Sequence, residues 1–266
     1  MPIRREYAPG TPSWVDLGTR DIEGSTAFYT ALFGWKADAQ PEPEAGGYVM
    51  FTKDGHNVAG MGPLMSDEQP PAWTTYITVA DADAAAAAAK VAGGQVIVEP
   101  MDVTEAGRMA VFFDATGAGV SVWQPGDHIG AELVNEPGGL CWNELTTRDG
   151  EAAKAFYGAV FGWHAHTSTF PLPDGAEGSY TEWRLAADGE PIGGLMVMDD
   201  EWPGDMPSHW MTYFAVDDCD ATAVMAEDLG GAVPVPPIDV PPGRMAVLND
   251  PSGAYFTILK LEEQVG

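Results

Sequence analysis

Apolar and polar residues follow two spacings along the chain, a period of two and a period near 3.6, and their order predicts the elements. Residues 14–17 alternate as a short strand does. Asp21 then stands where a helix N-cap belongs, and Phe28, Leu32 and Phe33 supply one apolar face before Gly34 ends the helix. Residues 48–52 and 58–61 read as further strands, and residues 73–79 form a strand rich in Thr, Tyr, Ile and Val. Asp83 is the expected cap of an alanine-rich helix that closes at Gly93 and Gly94. Strands over 96–98, 109–113 and 120–123 complete the series, and the same order returns from residues 141–145 to 255–261.

The return is literal. Trp14 and Trp142, Thr19-Arg20-Asp21 and Thr147-Arg148-Asp149, and Phe28-Tyr29 and Phe156-Tyr157 match at an offset of 142 − 14 = 128. Further on, Val79 pairs with Val216, Gly93-Gly94 with Gly230-Gly231, and Gly107-Arg108-Met109-Ala110-Val111 with Gly243-Arg244-Met245-Ala246-Val247. The chain is a tandem duplication joined through the Gly- and Pro-containing stretch 124–139. Gly93-Gly94 and Gly230-Gly231 fall where helices stop. No Gly-x-Gly-x-x-Gly or Walker spacing follows a strand, so the glycines read as helix ends and not as phosphate loops.

Composition narrows the function classes. Across 266 residues, 40 Asp and Glu stand against 12 Lys and Arg, a formal charge of −28, which excludes nucleic acid and anionic membrane as partners. Hydrophobic residues at 45% and nine tryptophans distinguish the chain from a disordered acidic one. Cys141 and Cys219 are too few for a disulfide framework and read as buried thiols. The N-terminal residues lack an apolar stretch of signal type, and no run approaches the roughly 20 apolar residues of a membrane span, so a cytoplasmic protein is expected.

The helix bearing Phe-Tyr and ending Phe-Gly-Trp, and the closing Gly-Arg-Met-Ala-Val strand, resemble the glyoxalase/bleomycin-resistance/dioxygenase group, or vicinal oxygen chelate superfamily. The resemblance covers about residues 11–261 in two copies and is narrower to actinobacterial tandem glyoxalase-like proteins. It implies an α+β fold of two domains, residues 8–127 and 138–263, each a pair of βαβββ modules forming an open eight-stranded half-barrel around a cavity.

That superfamily usually holds a divalent metal through His, Gln or Glu on the inner strand faces. The matching positions here are Trp14 and Trp142, Thr74 and Met211, Ser121 and Thr257, and, near the end of the first module, Gly60 and Gly194. Indole, thioether and glycine are not ligands for a hard or borderline cation, so no metal and no other cofactor is expected.

Strand alternation places Asp16 beside Trp14, Glu144 beside Trp142, Tyr76 beside Thr74, Tyr213 beside Met211 and Trp123 beside Ser121 on the inner faces. Together with Thr257, these residues form an aromatic lining suited to a planar or apolar ligand, or else they simply fill the barrel. Asp16 and Glu144, each flanked by indole, are the candidates for general acid or base. Otherwise these carboxylates are solvated at the cavity mouth or held in an ion pair.

His209 stands at the entrance of the fifth strand of the second half, where it either touches a ligand or sits in a surface loop. His164 and His166 share a strand face and read as solvated. Arg108 and Arg244 read as partners of Asp102 and Asp239, and Asp114 and Asp250 as turn residues. No Gly-x-Ser-x-Gly or other nucleophile signature is present.

The leading expectation is a metal-independent protein that binds a small apolar or aromatic metabolite or antibiotic, as a monomer or homodimer. The alternative is a tailoring enzyme of secondary metabolism, a lyase, isomerase or hydroxylase component, using Asp16 or Glu144 as base.

Overall fold

β1 (Pro12–Thr19) carries the first half, because it is paired on both edges by strands that arrive later in the chain. It lies parallel to β4 (His56–Pro63) and antiparallel to β5 (Ala72–Thr78), with Asp16 opposite Gly60 on one side and Thr74 on the other. β2 (Lys36–Ala39) and β3 (Val49–Lys53) extend the sheet beyond β4. β8 (Gly119–Pro125), β7 (Gly107–Phe113) and β6 (Gln95–Val103) extend it beyond β5. The order is β2-β3-β4-β1-β5-β8-β7-β6, an open half-barrel with β2 and β6 as its edges. The computed structural model describes residues 3–39, 46–66, 68–171 and 177–262.

The second half repeats this order with β9 (Leu140–Thr147), β10 (His164–Pro171), β11 (Glu177–Arg184), β12 (Pro191–Val197), β13 (His209–Ala215), β14 (Ala232–Val240), β15 (Gly243–Asn249) and β16 (Tyr255–Leu261). Its sheet runs β10-β11-β12-β9-β13-β16-β15-β14. The α+β architecture of two tandem half-barrels, each made of two βαβββ modules, is the one the repeat and its resemblance imply.

Helix boundaries follow local chemistry. In α1 (Ile22–Phe33) the Asp21 carboxylate accepts from the Gly24 amide at 2.8 Å, and Gly34 closes the helix at φ 69°. α3 (Gly150–Phe161) repeats this with Asp149 and Gly162. α2 (Ala82–Val91) corrects one expectation, because its cap is Asp81, whose Oδ1 accepts from the Ala84 amide at 2.9 Å. Asp83 lies within the first turn and pairs with Arg108. β2 is exposed at every position, so no apolar pattern announces it. Its pairing with β3 makes it a strand.

The outer faces of the sheets build the core, and the core ignores the duplication boundary. Val15 and Leu17 of β1 are fully buried with Phe28 and Tyr29 of α1, in one cluster with Phe214 of β13 and Phe256 of β16. The other cluster joins Ile77, Phe112 and α2 to Leu145, Phe156, Tyr157 and Trp163. Each helix of one half therefore packs against a module of the other half. α4 (Cys219–Asp228) meets α1, and α2 meets α3. This arrangement leaves the opposite, inner face of each sheet to its own polar and aromatic residues.

Candidate functional site

On the inner face of the first sheet, Asp16 is half-buried at the middle of β1. Its Oδ2 accepts from the Tyr76 hydroxyl at 2.8 Å and the Tyr48 hydroxyl at 3.4 Å, and Trp14 Nε1 donates to the Tyr48 oxygen at 3.1 Å. The second sheet rebuilds the arrangement with a longer acid. Tyr180 donates to Glu144 Oε2 at 2.6 Å, Tyr213 donates to Oε1 at 2.9 Å, and Trp142 Nε1 donates to the Tyr180 oxygen at 2.9 Å. Register brings these groups together: Trp14 lies opposite Tyr76 and Trp142 opposite Tyr213, while Ser121 and Thr257 stand beside the two tyrosines on the neighbouring parallel strands.

Tyr48 and Tyr180 are the members that reading the chain overlooked. Their signal was Gly60 and Gly194. A Cβ built at Gly60 would collide with the Tyr48 hydroxyl, and one at Gly194 with that of Tyr180. These glycines make room for the two phenols.

Removal from water governs the electrostatics. Burial raises the Asp16 carboxyl to about 6, against the lowering effect of the Tyr76 and Tyr48 hydrogen bonds. Burial also raises Glu144, with Tyr180 and Tyr213 opposing it. The four tyrosines are all raised, by burial first and by the adjacent carboxyl second, so they remain donors at neutral pH.

The remaining expected residues divide into those near the acids and those apart. Thr74 and Met211 lie directly opposite Asp16 and Glu144 in register and are half-buried. Trp123 is buried edge-on to Tyr76, with ring centres 6.5 Å apart. His209 pairs in register with Thr146, and its Nδ1 lies 2.9 Å from the Pro207 carbonyl. Arg108 and Arg244 are held by Asp83 and Asp102 and by Asp220 and Asp239, on exposed ground. Trp14, Tyr76 and Trp123 are nearly inaccessible, so the first inner face is partly filled by its own side chains.

Among the described residues no three His, Cys, Asp or Glu side chains gather to hold an ion. Around each acid stand hydroxyls already committed to hydrogen bonds, an indole and a glycine.

The chain belongs to the Glyoxalase/Bleomycin resistance protein/Dioxygenase superfamily, whose model matches residues 11–122 and 129–258. A protein named "Putative glyoxylase CFP32" from Mycobacterium bovis is 47% identical over 265 residues, covering 98% of both chains. Another named "Anthracycline biosynthesis protein DauV" from a Streptomyces species is 40% identical over 272 residues, covering 97% of this chain and 95% of its own. Among solved structures, the Mn(II)-bound glyoxalase of Novosphingobium aromaticivorans aligns with a TM-score of 0.63 at 16% identity over 96% of this chain and 83% of that one. The likeness to that structure is one of fold. Among the described residues no helix is long and apolar enough to cross a membrane.

Proposed function

We propose that this chain binds a small, planar, largely apolar organic molecule on the inner faces of its half-barrels, without a metal, in the synthesis or handling of an aromatic secondary metabolite. The reading rests on one observation above the rest: in both halves a desolvated carboxyl on the inner sheet face is held by two tyrosines and flanked by indole. Aromatic walls favour a flat ring system, and the acid and phenols offer hydrogen bonds to a hydroxyl or carbonyl on its rim. Relatives named for anthracycline biosynthesis support a polycyclic aromatic ligand. We read the protein as cytosolic and active as a monomer or homodimer, with domains at 8–127 and 138–263.

A second reading, a tailoring enzyme, is favoured by Asp16, since a carboxyl at about 6 can give and take a proton near neutral pH. One experiment separates the two. Asp16→Asn and Glu144→Gln are titrated with a hydroxylated anthraquinone, followed by tryptophan fluorescence, alongside product analysis. Loss of affinity supports binding alone, whereas retained affinity with abolished conversion supports catalysis. Absence of binding to the unaltered protein would overturn both. Near-stoichiometric Zn, Ni, Fe or Mn in protein purified without a tag would overturn the metal-free reading.

A further inference from the structure

The stretch joining the two halves folds back over the first one and meets the start of the chain. The amides of Gly126 and His128 both donate to the Ala106 carbonyl, at 2.9 and 3.1 Å, and that of Asp127 donates to Glu105 at 3.0 Å. The Glu132 amide donates to the Asn57 carbonyl at 2.7 Å, and the Arg4 amide donates to the Glu132 carbonyl at 2.8 Å. Ile3 bridges Leu133, and the Tyr7 hydroxyl donates to the Ala131 carbonyl. Residues 3–5, 56–57 and 127–132, far apart in the chain, are thereby fixed around one cleft of about 370 Å³, a volume within the range of small-molecule sites. The acids and tyrosines of the inner faces do not line it.

Charges of both signs line this cleft without pairing. Arg4 and Arg5 contribute two guanidinium groups and Asp127 a carboxylate. Among the described residues neither guanidinium has a carboxylate partner, and the Asp127 carboxylate has no cation. Every other arginine is held, Arg108, Arg184 and Arg244 by carboxylates and Arg20 and Arg148 by backbone carbonyls. With 40 acids for 12 bases the chain has no shortage of partners, yet this arginine pair takes none. Arg4 lies over the Tyr7 ring, 6.0 Å from its centre, which steadies the guanidinium and leaves its N–H donors unused. Glu132 is engaged already: its Oε2 accepts from the Asn57 amide at 2.8 Å and stands 4.0 Å from His56 Nδ1.

We propose that this cleft is a binding site for a small zwitterion with an apolar body, whose carboxylate is held by Arg4 and Arg5 and whose ammonium group is held by Asp127. Ile3 and Ile129, which also line the cleft, meet the apolar part. Hydrogen bonds between a guanidinium and a carboxylate are about twice as strong as neutral ones. The charge of −28 repels a simple anion at long range, whereas a molecule of zero net charge enters without that opposition. The site is additional to the inner faces and shares none of their acids or tyrosines.

Isothermal titration calorimetry of the full chain with L-phenylalanine tests this, alongside hydrocinnamate, which lacks the ammonium group, and phenethylamine, which lacks the carboxylate. L-phenylalanine is expected to bind, and the other two to bind about tenfold more weakly, because each loses one charge-assisted contact. Arg5→Gln and Asp127→Asn, both at exposed positions, are each expected to weaken L-phenylalanine binding about tenfold with the thermal midpoint unchanged. Absence of L-phenylalanine binding overturns the inference. So does hydrocinnamate binding as tightly, which would make the cleft a plain anion site, and so does unchanged affinity in either variant, which would place the amino acid elsewhere. The anthraquinone titration tests the inner faces separately, and neither result decides the other.

Discussion

At the scale of single residues, Asp16 and its neighbours set the chemistry. Between the ordinary carboxylate range and about 6, the folded chain keeps a proton that the unfolded chain has released. Asp16 therefore makes stability fall as pH rises across that interval, and the loss stays constant above it. His128, pushed down to about 4 by burial, acts with the opposite sign: its contribution is present above the usual histidine value and is lost as pH falls toward 4. Asp16→Asn, uncharged throughout, isolates the first effect because His128 is common to both proteins. The Tm of the variant is expected to gain on the unaltered protein from pH 4 to 6 and then run parallel to pH 8. A constant difference across the whole range would show an ordinary solvated carboxylate.

Gly60 supplies a second prediction at this scale. Gly60→Ala drives a methyl into the Tyr48 hydroxyl, whereas at Gly62 the nearest Tyr48 atom is 3.2 Å from the added carbon. Overpacking of this kind costs about 1–3 kcal/mol. Urea unfolding is expected to show that loss for Gly60→Ala and a clearly smaller one for Gly62→Ala. Equal losses would mean that Gly60 serves only the strand.

Elements show where local reading of the chain succeeds and where it stops. Asp21 and Gly34 delimit α1 as expected, because both caps act within one turn of the helix they close. In α2 the two aspartates two residues apart are locally equivalent, and only the backbone entering the helix selects Asp81. Asp81→Ala is accordingly expected to cost about 1 kcal/mol of stability through the lost cap. Asp83→Ala removes an exposed pairing with Arg108 and is expected to change the thermal midpoint less, as exposed ion pairs contribute little. The reverse ranking would reinstate Asp83 as the cap. Inner faces were legible in the same local way: period-two alternation put Trp14 with Asp16 and Trp142 with Glu144. It could not bring in Tyr48 or Tyr180, whose places follow from the register of β3 with β4 and of β11 with β12.

For the molecule as a whole, the halves share one interior. Tyr29 of α1 donates to Asp250 at 3.1 Å and accepts from Trp73 at 3.0 Å, while Tyr157 of α3 donates to Asp114 and accepts from Trp210, both at 2.8 Å. Asp114 and Asp250 also hold their own turns by accepting from amides, so each ties a hairpin of one half to a helix of the other. Urea unfolding is therefore expected to be a single transition. Asp250→Ala should shift it by about 1–3 kcal/mol, because Tyr29 and the turn lose a buried acceptor. Two resolved transitions, only one of them moved by Asp250→Ala, would refute the shared core.

What the sequence determined alone is what depends on near neighbours: the repeat, the strand and helix periods, most caps, and the pairing of an acid with a tryptophan on each inner face. The charge of −28 belongs with these, since composition is independent of folding. Tertiary structure decided what depends on distant partners. It brought Tyr48 and Tyr180 onto the acids through strand register, packed α1 and α3 against the opposite halves, and folded the linker so that His128 stands against Trp14. Alternation tells which face a side chain takes. Which groups meet on that face is settled only when sheets and linker assemble, because residues far apart in the chain then share one desolvated space.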